Sequence, residues 1–291
     1  IIVTADREAL AAEGPASVAT LDGEGLAFIG AQAPSEALNR LPGVSIQRNN
    51  GVENLMAIRS PVLTGGQSAG SFLVLDNGVP VRAPGFANVN QLWETSLDFA
   101  DSVVVMRGPG SSLYGSNAVH GLVDVQTRSG ILDRTACVRE TASISADSLG
   151  RADATLIARR GVRHSHHTNC PWPDDVDGGV TMSWGVPWRG VAAVSVTDDA
   201  GWRDASGLDR QALLLGFGYT DIRSGLEVEG RLIAQNLNQE SAGFIEGRDA
   251  FRDRSVTRTN PVPEAYRDTR LIRGQTAFIW RKAGGGDVRI T

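Results

Sequence analysis

The stretch VVVMRGPGSSLYGSNAVHGLVDV, residues 103–125, decides how the chain is read. An apolar run meets Gly-Pro-Gly, small residues with one tyrosine follow, and a second apolar run closes the stretch. Two nucleotide-binding readings fail on residue type. A phosphate loop of the form GxxxxGK[ST] needs lysine to reach the terminal phosphates, and in the register from Gly110 to Gly115 that position is Ser116. A dinucleotide fingerprint fails as well, because Leu113 stands where the third glycine belongs. What survives is local structure. A strand ends at a Gly108-Pro109-Gly110 turn, a helical turn runs from Ser111 through Tyr114, Gly115 ends it, and Gly121 starts a returning strand.

The 291 residues suffice for one large domain or two ordinary ones. Aromatics make up only 6% and glycine supplies 34 positions, with turn residues throughout, which favours many short strands over long helices. A formal net charge of −5 offers no basic field for nucleic acid, so no such partner is expected. Lys282 is the only lysine among 28 basic residues, which reads as codon usage rather than phosphate recognition. No stretch reaches the ~18 apolar residues of a membrane-spanning helix. The chain opens IIVTADR with neither Met nor a leader pattern, and GGGDVRIT stops as a new strand begins. A processed or partial chain is therefore expected.

Residues 1–129 read as one mixed unit. Ser35 is placed to cap a short helix, EALNRL, that ends before Pro42. Short strands are expected at residues 44–48 and 55–59. In SFLVLDNGVPV, Asp76-Asn77-Gly78 lies between two apolar runs, and Asn-Gly suits the left-handed dihedrals of a tight hairpin turn. In VNQLWETSLDFADS, the spacing of Leu92, Thr95 or Ser96, and Phe99 predicts a helix.

Beyond residue 129 alternation takes over, in TASISADS, VAAVSVTDD, QALLLGFGYT, LEVEGRLIAQN and LIRGQTAFIWRK. Short turns such as DIRSG and KAGGG alternate with long polar connections. Short turns on one side and long loops on the other describe a transmembrane β-barrel. A soluble sandwich also has short alternating strands, and alternation alone leaves both open.

The opening stretch closely resembles the plug domain of TonB-dependent outer-membrane receptors, which carries a strand, Arg-Gly-Pro, a small-residue turn with Tyr-Gly, and a returning strand. LNRLPGVSIQR is similar to that plug's first helix and strand, LMAIRSP to its Ile-Arg element, and FLVLDNGVPV to its apolar hairpin. IIVTA is similar to the TonB box. The five matches occur in the family's order. The resemblance implies an α+β plug, residues 1–129, followed by antiparallel all-β transmembrane barrel strands, residues 130–291. These would be an incomplete part of a barrel of ~22 strands, of which this length supplies about seven.

The resemblance further implies energised uptake of a scarce ligand across the outer membrane of a Gram-negative bacterium, with the N-terminus periplasmic. The ligand is expected to be a metal chelate, first of all a ferric siderophore, with cobalamin, haem, copper or sugar as alternatives. TonB would pair by strand addition with Ile1, Ile2, Val3, Thr4 and Ala5. Arg59 and Arg107 would hold the plug by facing barrel glutamates located after residue 291. The Gly-, Ala- and Pro-rich links at 61–71 and 82–88 would present Thr64, Gly65, Gln67, Arg82, Phe86 and Asn88 to the ligand. Outer-membrane lipid would contact the barrel. A soluble two-domain binding protein with a β-sandwich second half is the competing reading.

No GxSxG, HExxH or CxxC occurs, so no enzymatic activity and no cofactor are expected. His164, His166 and His167 with Cys170 form the one ligand-like cluster, but H-x-H-H-x-x-C matches no specific metal site and reads as a polar loop. Asp76 and Asp124 are assigned to a turn and a strand, with structural roles only. Residues 141–160 read either as a hairpin turning at Leu149-Gly150 or as one continuous upward run. The strand-like VTMSWG downstream favours the second, which places the histidines extracellularly and keeps Cys137 and Cys170 unbridged.

Overall fold

The computed structural model describes residues 17–48, 51–61, 70–86, 91–127, 138–148, 150–160, 188–221, 224–281 and 287–291. The N-terminal unit is built on a five-stranded sheet in the order β1 (Ser17–Asp22), β6 (Ser102–Arg107), β7 (Gly121–Gln126), β4 (Phe72–Asp76), β5 (Val79–Pro80). Only β4 and β7 run parallel, and all five residues of β4 are buried, as expected of a strand covered on both faces. On one face Phe72, Val74, Val103, Val105, Val123 and Val125 pack against the hairpin of β2 (Val44–Arg48) and β3 (Asn54–Ile58). On the other, Leu73, Leu75, Met106 and Leu122 enclose Ala118.

The decisive stretch folds as its chemistry requires. Residues Ser111–Tyr114 make one helical turn between β6 and β7, and Gly115 leaves it at φ 82°. Asn77 and Gly78, at φ 50° and 79°, close the β4–β5 hairpin in the left-handed geometry anticipated for Asn-Gly. Other expectations need correction. The first helical element is α1 (Gly23–Ile29), capped by the Asp22 carboxylate accepting from the Gly25 N–H at 2.8 Å. The short helix α2 spans Pro34–Leu38 with Pro34 in its first turn, so Ser35 lies inside the helix and is not its cap. Residues 91–99 are two separate 3-10 turns, Gln91–Glu94 and Leu97–Phe99, instead of one amphipathic helix. Residues 91–96 are all buried, so the segment has no solvent face and the helical spacing misleads.

The C-terminal unit is a seven-stranded antiparallel sheet in chain order: β8 (Val138–Ala146), β9 (Arg151–Arg160), β10 (Trp188–Asp199), β11 (Leu208–Asp221), β12 (Leu226–Glu240), β13 (Tyr266–Arg281), β14 (Asp287–Ile290). β8 and β14 are open edges. In β10 the inward Arg189, Val191, Ala193, Ser195 and Thr197 are buried, whereas the outward Trp188, Ala192, Val194 and Val196 are exposed. Outward positions elsewhere include Ile144 at 85% exposure, Leu215, Phe217, Ile272, Phe278 and Trp280. An exposed apolar outer face, opposite an inner face that mixes Arg189, Ser195 and Thr197 with Val191 and Ala193, is unlike a soluble sandwich, which hides its apolar side. That alternative is thereby set aside in favour of barrel strands. Near one end the rings of Trp188 and Tyr219 lie 4.7 Å apart on the outer face, as in an interfacial aromatic girdle.

β8 and β9 form a hairpin closed by Gly150 at φ 92° and by Asp147, whose carboxylate accepts from the Arg151 N–H at 3.1 Å. The single upward run across residues 141–160 is therefore overturned. The β8–β9, β10–β11 and β12–β13 connections lie at one end, here the upper end, and β11 ends and β12 begins at the lower end. The extracellular placement expected from the sequence concerns His164, His166, His167 and Cys170. Those residues and Cys137 themselves lie outside the described set. No described helix is long and apolar enough to cross a membrane.

Candidate functional site

The N-terminal unit seats against the inner face of the barrel strands, and its contacts begin at the β4–β5 turn. Asp76, 2% exposed, pairs with Arg231 of β12 at 3.0 Å and with Arg273 of β13. Arg231 also donates to the Thr127 carbonyl at 3.0 Å and to the Asp76 carbonyl at 3.2 Å. The turn is pinned from behind: the Asn77 N–H donates to the Val125 carbonyl at 2.9 Å, and the Gly78 N–H to the Asp124 carboxylate at 2.9 Å. Asp76 and Asp124 are thus more than local turn and strand residues. One faces the barrel, and the other holds the turn that presents it.

The two 3-10 turns supply the next contacts. Trp93 packs on Leu208 and Leu237, and Phe99 on Ile157, Val191, Leu214 and Ile233, so two aromatics of the N-terminal unit are anchored in the barrel wall. Burying each is worth about 1.5–3 kcal/mol. Between them, the Glu94 carbonyl accepts from Arg273 at 3.3 Å and Gln235 at 3.4 Å. Burial raises the Glu94 carboxyl above its usual range, opposed by Arg82 beside it at 2.5 Å and by the charge of Arg273. Asp98 accepts from Arg210 at 2.9 Å and from the Ser195 hydroxyl at 3.0 Å. Asp101 pairs with Arg159 at 3.0 Å, and Glu53 with Arg267 at 2.8 Å. Beneath these contacts, between residues 22–37 and strands β8 to β11, lies a chamber of about 860 Å³.

The structure brings Arg59 and Arg107 together. Arg59 donates to the Ser17 hydroxyl at 3.1 Å and Arg107 to the Pro42 carbonyl at 2.7 Å, flanking Gly43. These contacts lie within the N-terminal unit, and Arg59 sits at φ 48°. Arg82 is engaged by Glu94, whereas Phe86 is 75% exposed. Thr64, Gly65, Gln67, Asn88 and the segment Ile1, Ile2, Val3, Thr4, Ala5 lie outside the described residues. Sequence reasoning missed the carboxylates Glu53, Asp76, Asp98 and Asp101, whose arginine partners stand far along the chain. Alternation could have flagged the inward position of Arg231 and Arg273, but not their partners.

Residues 11–122 match the family model of the TonB-dependent receptor plug domain. The N-terminal unit is a TonB-dependent receptor plug domain. Among solved structures, the chain is similar to the ferric citrate transporter FecA in its unliganded form, at 21% identity and TM-score 0.68, over 97% of this chain and 40% of that one. It is also similar to the ferripyoverdine receptor of the Pseudomonas aeruginosa outer membrane, at 14% identity and TM-score 0.68, over 94% of this chain and 33% of that one. The ferric yersiniabactin uptake receptor FyuA from Yersinia pestis matches at 14% identity and TM-score 0.65, over 94% of this chain and 39% of that one. The chain spans well under half the length of these receptors. The likeness is one of fold: a plug followed by the strands of an outer-membrane receptor barrel.

Proposed function

We propose that this chain is the plug and first barrel strands of an outer-membrane transporter that imports a scarce ligand using energy delivered by TonB. A unit boundary near residue 129 belongs to that reading, with further strands closing the barrel around the plug. The observation that carries it is a plug domain seated by ion pairs and two aromatics on one face of a sheet whose other face is apolar and exposed. That arrangement holds a movable stopper inside a lipid-facing wall. The strand ends at Asp221 and Leu226 then face the periplasm and the 241–265 loop the exterior.

A ferric siderophore is the first choice of ligand, since the similar structures are receptors for ferric citrate, ferripyoverdine and ferric yersiniabactin. Cobalamin, haem, copper and sugar are the alternatives. The ligand would pass unchanged, without catalysis. Phe86 and the links containing Thr64, Gly65, Gln67, Arg82 and Asn88 would meet it first, and Arg59 and Arg107 would pair with carboxylates of later strands. TonB would capture residues 1–5 by strand addition. The test is Val3→Pro or Thr4→Pro in the complete receptor. Proline removes a ladder donor and fixes φ, so energised uptake should be lost while ligand binding persists. Normal uptake by both variants would remove the TonB-box assignment.

A further inference from the structure

One cross-strand row closes the upper end of the described wall. The register aligns Arg151 of β9 with Asp199 of β10, Asp199 with Leu208 of β11, Leu208 with Gln239 of β12, and Gln239 with Arg267 of β13. Directly paired residues share a face of the sheet, and this row faces the plug. Arg151 donates to the Gln32 carbonyl at 2.9 Å, and Leu208 packs on Trp93. The Gln239 side-chain oxygen accepts from the Val52 N–H at 3.0 Å, and Arg267 pairs with Glu53 at 2.8 Å. Asp199 steadies Arg151 from the side at 3.4 Å. Three stretches of the plug, at residues 32, 52–53 and 93, are thus gripped at one level. Gly51 permits the closest approach, since a Cβ there would collide with the Gln239 amide.

The same row roots the upper connections. The Asp147 N–H donates to the Arg151 carbonyl at 2.9 Å, and the Asp199 carboxylate accepts from the Gly201 N–H at 2.9 Å. One residue beyond the row, Gly207 and Glu240 exchange two hydrogen bonds, each of 2.9 Å. Gln239 is buried against the plug and Glu240 is exposed, so neighbouring residues on opposite faces of β12 serve plug and connection at once. Above the row the connections are tied to one another. The Ala200 N–H donates to the Gly150 carbonyl at 3.2 Å, and the Asp204 N–H to the Arg258 carbonyl at 2.8 Å. Arg203 donates twice to the Thr259 carbonyl, at 3.0 and 2.6 Å, and Asn260 links the Ala205 carbonyl to the Gly243 N–H.

We propose that this row is a collar coupling the clasped upper connections to the plug. Arg151 and Gln239 are its positioning residues, and Arg203 and Asn260 are the clasp that makes the connections act together. A connection that shifts carries its strand end with it, because the hydrogen bonds run without a break from loop to row. The strand end in turn carries the groups that hold Gln32, Val52 and Glu53. Such coupling is reciprocal: loosening either side must loosen the other. Its use in sensing what docks on the exterior rests on the transport reading, whereas the coupling itself does not.

Amide hydrogen exchange of the complete receptor in detergent, read by mass spectrometry, tests both directions. Asn260→Ala with Arg203→Ala removes the clasp without touching row or plug. Residues 51–54 should then exchange about tenfold faster than in the parent, together with 200–207 and 241–265. Gln239→Ala should accelerate exchange through 200–207 and 241–265, which a purely local contact with Val52 would leave alone. Parent rates at 51–54 in the clasp variant overturn the proposal, and so does a Gln239 variant whose effect stops at the plug. Should Gln239→Ala fail to fold, the clasp variant decides alone. The measurement needs neither TonB nor uptake, so normal uptake by the proline variants would sink the transport reading without touching this result.

Discussion

At the scale of single residues, the plug is positioned by carboxylates whose partners the local sequence does not announce. Asp76 lies 197 residues from Arg273, and its neighbours Asn77 and Gly78 explain only the turn that presents it. Replacing it with asparagine removes the carboxylate that both Arg231 and Arg273 pair with. Breaking a buried pair in this way costs about 3–5 kcal/mol, against a pair whose net worth when intact is small. Asp76→Asn should therefore sharply reduce hydrogen-exchange protection of residues 72–80 in the complete receptor. Unaltered protection would show that the aromatic anchors alone seat the turn. Glu94 behaves oppositely. Its folded-state carboxyl titrates above its ordinary 4.5 because burial disfavours the ionised form. The folded state then binds the proton more tightly than the unfolded chain, so the cost is full above the folded value and is relieved as pH falls through it. Glu94→Gln should flatten this gain in thermal stability on mild acidification, and Arg82, more exposed than Glu94, can hydrate in its absence. A thermal midpoint that climbs equally on acidification in parent and variant would exclude Glu94 as the source.

At the scale of elements, Gly121 begins β7 where a Cβ would stand 2.7 Å from the Met106 carbonyl and 3.0 Å from Ile58. Neither neighbour can retreat, because one is sheet backbone and the other is core. Gly121→Ala should destabilise the plug by about 1–3 kcal/mol, the usual cost of overpacking, seen as a lower urea midpoint. A midpoint within error of the parent would mean that the sheet yields. The glycine was readable in advance, as were the Asn-Gly hairpin, the turn after Arg107 and most barrel strands, because turn chemistry and period-2 alternation act over a few residues. β1 was not: its partner β6 lies about ninety positions away in the register that joins Ser17 to Arg107, and pairing over that distance leaves no local pattern. The segment 91–99 misled for a different reason. It is enclosed on both sides, with Leu92 on the plug core and Trp93 on the barrel, and helical spacing has meaning only where one face is wet. The same holds for the upper loops, where the Asn260 amide donates to the Ala205 carbonyl at 2.8 Å and accepts from the Gly243 N–H at 3.0 Å, a clasp between two connections visible only once both are folded.

At the scale of the whole molecule, two kinds of contact hold plug to wall, and they differ in what they contribute. The five plug–barrel ion pairs are largely buried on at least one side, as with Asp76 at 3% side-chain exposure. Desolvation offsets most of their Coulomb attraction, so they set the register in which the plug docks more than the strength with which it holds. Trp93 and Phe99 carry no such offset, and their burial among Leu208, Leu237, Leu214 and Ile233 is a net gain. The two contributions respond differently to salt. At about 1 M the screening length is ~3 Å in solvent, but pairs shut away from solvent are screened much less. High salt should accordingly leave the plug seated. Trp93→Ala with Phe99→Ala should release it, since removing each aromatic costs about 3–5 kcal/mol at a surface that keeps its charges. Limited trypsin digestion of the complete receptor distinguishes these outcomes: the parent's plug should resist digestion in low and high salt alike, whereas the double alanine variant should lose its plug fragments in both. If salt alone exposes the parent's plug to trypsin while the alanine variant stays protected, charge and not apolar burial holds the plug to the wall.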